Sequence, residues 1–226
     1  MNNSLKGKVV LITGSSIGIG AETAKKFASE GCRLVVTFNK SKTKAQEVEK
    51  EFKNLGAMDV LLIQLDLTDD QSIRNVISTV INKFGNIDVL INNAGILIWE
   101  DFKDYAFEDI ELELRTNLEG LIKITNLALP YIKDTIINIG SANAFRPSSK
   151  TSVYSASKFG IRGFSQVLAK EEPNLRIYVV NPTATATQMT DFGGQDPKEV
   201  AEVILKAAKG DYNIPSGSDI NVWEVT

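Results

Sequence analysis

The sequence contains no histidine and a single cysteine, Cys32. Without histidine the chain cannot build a Ser-His-Asp or Cys-His nucleophile system, and it lacks the commonest zinc ligand, so no metal site is expected. One cysteine cannot form an internal disulfide, which agrees with a reducing compartment, and we expect Cys32 to be a packing residue. Proton transfer by this chain therefore has to come from Tyr, Lys, Asp or Glu.

Long apolar runs and clustered charge are also missing. The longest apolar stretches, such as residues 9–12, have the length of a strand, and the first residues lack the charged-then-apolar pattern of a signal peptide. The 28 acidic and 25 basic side chains give a net charge of -3, and the basic ones are dispersed. We therefore expect a cytoplasmic protein with neither nucleic acid nor membrane as a partner.

Length and composition suit one large α/β unit. The chain has 226 residues, of which 43% are apolar and 23% charged, a usual globular mixture. We find no internal repeat and no linker, so we expect residues 1–226 to form a single dinucleotide-binding domain that also carries the active site.

Short runs rich in Val, Ile and Leu alternate with segments of helical period. Apolar residues recur at three- and four-residue steps from Ala45 to Leu55 and from Ile73 to Phe84, as in amphipathic helices. The pattern predicts a Rossmann-type doubly wound parallel sheet of six to seven strands with helices on both faces, which binds ligands at the carboxyl ends of its strands. The six strands predicted from apolar runs are residues 8–13, 33–37, 60–66, 89–92, 135–139 and 176–181.

A glycine-rich turn follows the first predicted strand and opens a helix. Glycines let the backbone approach a pyrophosphate, and a helix N-terminus supplies unpaired N–H groups to hold it. The spacing of Gly14, Gly18 and Gly20 departs from the usual G-x-G-x-x-G, and a turn that binds nothing is the alternative. The predicted cofactor contacts in this turn are Gly14, Ser15, Ser16, Ile17, Gly18, Ile19 and Gly20.

The residues after the second and third strands should meet the adenosine. No carboxylate follows the second strand, where Asn39, Lys40 and Lys42 stand instead, so NADP is preferred and NAD is the other option. The alternative is that these lysines are a solvated helix start. After the third strand, Asp66, with Leu67 beside it, would accept from the adenine amino group or merely cap the next helix.

Tyr154 and Lys158 lie four residues apart on one predicted helix face. This pair is weak by itself, but Ser141 follows the strand at 135–139, and Asn117 lies in the preceding helix. The alternative is that Ser141 only caps a strand end and Asn117 is a polar residue inside a helix.

With these residues in this order, the sequence resembles the short-chain dehydrogenase/reductase family, and 3-oxoacyl carrier-protein reductases in particular. The resemblance implies that Ser141 binds the substrate oxygen, Tyr154 transfers the proton, Lys158 binds the nicotinamide ribose, and Asn117 holds a water linked to Lys158. The matched elements span most of the chain: the turn at 13–20, Asp66, Asn92 with Asn93, Ala94 and Gly95, Asn117, Ser141, Tyr154 with Lys158, and Pro182 to Thr187. In the last of these, the resemblance implies cofactor contacts by Pro182, Thr183, Thr185 and Thr187.

The chemistry requires a tyrosine that titrates near the working pH. A free phenol, with a pKa of ~10, is too weak an acid, and a nearby ammonium and an oxidised nicotinamide would both favour the phenolate. A lowering of the Tyr154 pKa by ~3 units would need roughly 4 kcal/mol. We expect Lys158 to contribute to that lowering.

The resemblance implies an oxidoreductase that transfers a hydride between NADP(H) or NAD(H) and a carbonyl or alcohol. A catalytically silent dinucleotide sensor of the same fold is the alternative, and an epimerase or dehydratase is a third option. Relatives usually form homodimers or homotetramers through the helices that hold Asn117 and Tyr154. Five residues are candidates for an apolar pocket wall, although each type is more often a packing residue than a ligand contact: Phe145, Ile96, Leu97, Trp99 and Phe192.

Two features depart from the family pattern. Thr183 stands where glycine is common, and threonine resists a positive φ. The segment at 187–197 is too short for the lid helices of many relatives, so an open site for a small or carrier-bound substrate is expected.

Overall fold

A parallel sheet of seven strands forms the centre of the protein, in the order β3-β2-β1-β4-β5-β6-β7. The computed structural model describes residues 4–39 and 42–226. The strands are β1 Val9–Ile12, β2 Arg33–Phe38, β3 Asp59–Gln64, β4 Ile87–Asn92, β5 Ile132–Ile139, β6 Arg176–Asn181 and β7 Asp219–Asn221. The predicted doubly wound parallel sheet is confirmed, with all six predicted strands present.

The differences lie at strand ends and at the last strand. β5 starts at Ile132, earlier than predicted, because Lys133 and Asp134 interrupt the apolar run but not the strand, which pairs with β4 on both sides of a register shift between Ile132 and Thr135. β7 has only three residues, two of them polar, so it carries no apolar signal and is held by its register with β6.

Helices cover both faces of the sheet, as predicted. On one face α1 packs against α2 and α7, and on the other α3 packs against α5. Two core clusters result, one containing Phe27 and Phe52 and the other Ile73 and Ile124. The helices are α1 Gly18–Ser29, α2 Lys42–Leu55, α3 Asp70–Phe84, α4 Phe107–Leu114, α5 Gly120–Ala128, α6 Ser152–Glu171, α7 Pro197–Lys209 and α8 Val222–Val225, and a π-helical turn, Arg115–Glu119, joins α4 to α5.

The point where strand order reverses positions the site. β1 pairs with β2 on one side and with β4 on the other, so the chain leaves their carboxyl ends in opposite directions and opens a crevice there. Within residues 4–39 and 42–226, no helix has both the length and the apolar character needed to cross a bilayer.

Candidate active site

A large cavity of about 1110 Å³ runs along the carboxyl end of the sheet. The segments that follow β1 to β6 all contribute to its walls, which places one cavity across both halves of the fold. The first lining residues after these strands are Gly14, Asn39, Leu65, Asn93, Gly140 and Pro182.

The glycine turn presents bare backbone to this cavity. Gly14 and Gly18 have φ of +65° and +58°, a region that favours glycine. The N-cap of α1 is Ile17, whose side chain makes no capping hydrogen bond, and its first turn contains no acidic residue. The first N–H groups of α1 are therefore left for a ligand, and the residues present fit a dinucleotide pyrophosphate.

Two predicted members of the turn do not line the cavity. Ser15 is fully buried, where its hydroxyl donates to the Ile12 carbonyl at 2.9 Å and accepts from the Thr37 N–H at 2.9 Å. Gly20 is also buried, and a Cβ there would overlap the Gly14 carbonyl oxygen. Both shape the turn from behind, whereas the other five predicted residues of the turn reach the cavity: Gly14, Ser16, Ile17, Gly18 and Ile19.

Residues that were expected to contact the adenosine also line the cavity. Its lining residues there are Asn39, Asp66, Leu67, Asn93, Ala94 and Gly95. Asp66 does not cap α3, because Asp69 does so by accepting from the Gln71 N–H, while Asp66 Oδ1 accepts from the Thr68 N–H at 2.9 Å. Lys40 and the side chain of Lys42 lie outside the described residues.

Ser141, Tyr154 and Lys158 come together on the cavity wall. Lys158 Nζ donates to the Ile139 carbonyl oxygen at 2.8 Å and lies 5.4 Å from the centre of the Tyr154 ring. Ser141 Oγ accepts from the Asn143 N–H at 3.1 Å, so its own proton remains available for a second partner. The serine caps the short 3-10 turn Ala142–Ala144 and also faces the cavity.

Burial dominates the titration of these groups. Burial raises the pKa of Tyr154 to about 12, although its side-chain interaction with Ser141 lowers it. Burial also lowers the pKa of Lys158 to about 8. The expected lowering of the Tyr154 pKa by Lys158 is therefore not found: Lys158 is not among the groups that shift this pKa, and the loss of water around the phenol dominates it.

Asn117 lies behind the cavity wall instead of on it. It sits in the π-helical turn, where its Oδ1 accepts from the Ile96 N–H and its Nδ2 donates to the Ile96 carbonyl, both at 2.8 Å. A Cβ on Gly95 would lie 3.1 Å from Asn117 Oδ1 and 3.8 Å from Lys158 Nζ. The Asn117 side chain therefore binds the backbone segment of Gly95 and Ile96, which lies between Asn117 and the Lys158 ammonium.

All four predicted residues after β6 line the cavity, namely Pro182, Thr183, Thr185 and Thr187. Thr183 does not have a positive φ, so the substitution for glycine brings no left-handed strain. Gln195 pairs with the backbone of Ala184 and Ala186, and the segment before it forms one 3-10 turn, Gln188–Thr190, so the lid is short, as predicted.

Four of the five candidates for the apolar wall line the cavity, namely Ile96, Leu97, Trp99 and Phe192. Phe145 is absent from the wall. Its ring packs edge-on against the Trp223 ring, with 5.9 Å between the two ring centres. The guanidinium carbon of Arg162 lies 3.8 Å from the centre of the Phe145 ring.

Sequence reasoning missed a network that supports Ser141. Asn181 Oδ1 accepts from the Ser141 N–H at 3.2 Å, and its Nδ2 donates to Asp219 at 3.0 Å. Asp219 in turn pairs with Arg162 at 2.9 Å. A polar residue that ends an apolar strand was a usable signal for Asn181, but Arg162 and Asp219 are 57 residues apart and share no pattern.

The family follows from comparison with known proteins. A family model described as short chain dehydrogenase matches residues 8–198. This chain belongs to the short-chain dehydrogenase family. Membership identifies it as an NAD(P)-dependent dehydrogenase or reductase.

Relatives within this short-chain dehydrogenase family match nearly the whole chain. A 3-oxoacyl-[acyl-carrier-protein] reductase of Thermotoga maritima is 33% identical, over 96% of this chain and 97% of its own. An uncharacterized oxidoreductase of Staphylococcus saprophyticus is 30% identical, over 98% and 97%. A Burkholderia cenocepacia short chain dehydrogenase, solved in complex with NADP, superposes with a TM-score of 0.90 at 30% identity, covering 96% of this chain and 97% of that one.

Proposed function

We propose that this chain transfers a hydride between NADP(H) or NAD(H) and a carbonyl or alcohol substrate, with Tyr154 as the general acid and base. One observation carries the proposal. Ser141, Tyr154 and Lys158 share a wall of the cavity that the glycine turn also lines. A substrate carbonyl beside the tyrosine would therefore lie in the same cavity as a dinucleotide whose pyrophosphate rests on α1.

Each side chain has a role that its contacts support. When bound, a nicotinamide would supply or accept the hydride at the substrate carbon. In reduction the Tyr154 hydroxyl gives its proton to the carbonyl oxygen, and in oxidation the phenolate takes the proton back. The Ser141 hydroxyl, whose oxygen already accepts from Asn143, donates to the same substrate oxygen. Lys158 binds the ribose and, as an ammonium, stabilises the phenolate that remains after proton transfer.

The test is oxidation of NADPH and NADH, in parallel, with a panel of aldehydes, ketones and an acetoacetyl thioester. Tyr154→Phe removes only the proton donor, so we expect turnover to fall by at least a hundredfold while NADPH still binds. Tyr131→Phe is the matched control, because Tyr131 is partly exposed just before the amino end of β5, away from the cavity.

Undiminished turnover in Tyr154→Phe would refute the role of the tyrosine. Tight NADPH binding without turnover of any substrate in the panel would instead favour a silent sensor. Turnover without net consumption of the cofactor would indicate an epimerase.

For the cofactor, we propose a preference for NADP over NAD. No acidic side chain follows β2, where Asn39 lines the cavity, and the Burkholderia relative was solved with NADP. Among the described lining residues, the acidic ones are Glu22, which pairs with Lys25 at 2.9 Å, and Asp66, which holds the Thr68 turn. Titration of each reduced cofactor against the protein tests this preference, and tighter binding of NADH would contradict it.

The substrate and the assembly are parts of the same proposal. The short lid and the similarity to a carrier-protein reductase support a carrier-bound substrate as one option. Exposed apolar residues on α4 and α6, among them Phe107, Phe159 and Val167, support a homodimer or homotetramer that buries these helices. Light scattering after size exclusion measures the assembly. We propose that residues 1–226 act as one cytoplasmic domain.

A further inference from the structure

Arg162 continues the row of side chains on α6 that begins with Tyr154 and Lys158. Residues four apart are neighbours on a helix surface, so Arg162 stands next to Lys158, as Lys158 stands next to Tyr154. Lys158 Nζ donates to the carbonyl oxygen of Ile139, the last residue of β5, at 2.8 Å, and Arg162 Nη1 donates to the carbonyl oxygen of Ala144 at 3.1 Å. One helix therefore binds the chain on both sides of the serine proposed to hold the substrate oxygen.

A carboxylate and an aromatic ring fix the guanidinium of Arg162 in place. Its Nε lies 3.0 Å from Oδ1 of Asp219, and its Nη2 lies 2.9 Å from Oδ2. The two side chains are only 22% and 18% exposed, and the Phe145 ring lies against the guanidinium. Such a two-pronged pair orients the planar group, so that Nη1 points to the Ala144 carbonyl, whereas a lysine ammonium carries no such fork.

Asp219 also reaches the other end of the serine turn. Its Oδ1 accepts from Asn181 Nδ2 at 3.0 Å, and Asn181 Oδ1 accepts from the Ser141 N–H at 3.2 Å. Ser141 is the N-cap of the 3-10 turn Ala142–Ala144. This turn is therefore held at its start through Asn181 and at its last carbonyl by Arg162, and both arms meet at one carboxylate of β7.

The direction of the Ser141 hydroxyl depends on this turn. Its oxygen accepts from the Asn143 N–H, which belongs to the turn, so a movement of the turn carries the hydroxyl with it. Tyr154 stands on α6 instead, and the spacing of the two hydroxyls is set by how the turn is attached to the helix. A misplacement of about 1 Å can cost about a hundredfold in rate.

We propose that Arg162 is a positioning residue that, together with Asp219, fastens the serine turn to α6 and sets the Ser141 hydroxyl against that of Tyr154. Its importance for turnover rests on the proposed function. Its effect on the turn does not, and that effect is measurable in the protein without substrate.

The test variant is Arg162→Lys, which keeps the charge and removes the fork. Arg176→Lys is the matched control, because Arg176 makes the same set of contacts elsewhere in the molecule. It pairs with Asp134 at 2.8 Å and donates to the Ala208 carbonyl at 2.9 Å. Arg176 is the first residue of β6, at the end of the sheet opposite the cavity. Both variants lose a partly buried pair, so a general loss of stability affects both.

The first readout is hydrogen exchange of the Ser141 amide, followed by NMR on protein labelled with ¹⁵N-serine and without substrate. The Ser141 signal is identified by its absence in Ser141→Ala. Because the Ser141 N–H is held through Asn181 and Asp219, we expect its exchange to become roughly tenfold faster or more in Arg162→Lys. In Arg176→Lys it should stay at the native rate.

The second readout is a double-mutant cycle on kcat, measured with NADPH and the best carbonyl substrate of the panel. We expect Arg162→Lys to lower kcat by about tenfold to a hundredfold in otherwise native protein, with NADPH binding unchanged. In the Ser141→Ala background the same change should cost less than about threefold, because the hydroxyl that it misplaces is already gone. Arg176→Lys should have the same small effect in both backgrounds.

An unchanged exchange rate of the Ser141 amide in Arg162→Lys would overturn the proposal. An equal loss of kcat with and without the Ser141 hydroxyl would do the same. So would failure of both Arg162→Lys and Asp219→Asn to fold and bind NADPH, because the ion pair would then serve folding alone. Full activity of Tyr154→Phe would instead refute the proposed function and leave the exchange of the Ser141 amide as it is.

Discussion

Gly18→Ala tests the structure of the phosphate-binding turn. Gly18 has a φ of +58°, and a Cβ there would lie 3.2 Å from Cγ2 of Thr187, which also lines the cavity. Holding alanine in the left-handed region costs about 1–2 kcal/mol. For a chain of this size, 1 kcal/mol corresponds to roughly 2–4 °C in Tm, so we expect Tm to fall by about 2–8 °C. The crowding against Thr187 should also weaken NADPH binding.

Gly163→Ala is the control for this change. Gly163 lies in α6, and a Cβ there would meet nothing within 4 Å. Alanine inside a helix is favoured over glycine, so the same substitution should raise stability by about 0.5–1 kcal/mol and leave NADPH binding unchanged. Thermal unfolding followed by circular dichroism, with a fluorescence titration of NADPH, measures both variants. An equal or higher Tm for Gly18→Ala would refute the left-handed conformation assigned to this turn.

Two further outcomes follow from buried titratable groups. The pKa of Lys158 is lowered from 10.5 to about 8, so the unfolded chain binds more protons between these values, and stability should rise with pH through that window. Lys158→Met should lack this rise, and its free energy of unfolding at pH 7 should be higher by up to about 3 kcal/mol. The variant should also lose activity. A lower free energy of unfolding at pH 7 would contradict the lowered pKa. Cys32 is fully buried with its pKa raised to about 12, so a thiol reagent should label it only after denaturation, and rapid labelling of the native protein would contradict its burial.

Features with a local cause were predictable from the sequence. The strands are continuous apolar runs because both faces of the sheet are covered, and the glycine turn is visible because positive φ demands glycine at Gly14 and Gly18. The spacing of Tyr154 and Lys158 is fixed by the period of one helix. These features placed the candidate site at the correct edge of the sheet.

Features that depend on distant partners were not predictable. Glu113 looks like any charged residue in an acidic helix start, and only the packing of α4 buries it against Ile98 and Tyr105. Ser15 and Gly20 were predicted to contact the cofactor but lie behind the turn, because Ser15 bonds to Thr37 of β2 and Gly20 packs against the Gly14 carbonyl and the Asn93 side chain.

The sequence alone determined the order of strands and helices, the turn that approaches a phosphate, and the side chains able to move a proton, because each depends on residues near one another in the chain. The tertiary structure alone decided how acidic those side chains are and which residues support them. Burial and long-range contacts set both properties, so the Tyr154 phenol becomes a weaker acid and the Lys158 ammonium a stronger one only once α4, α6 and the segment after β4 have packed together.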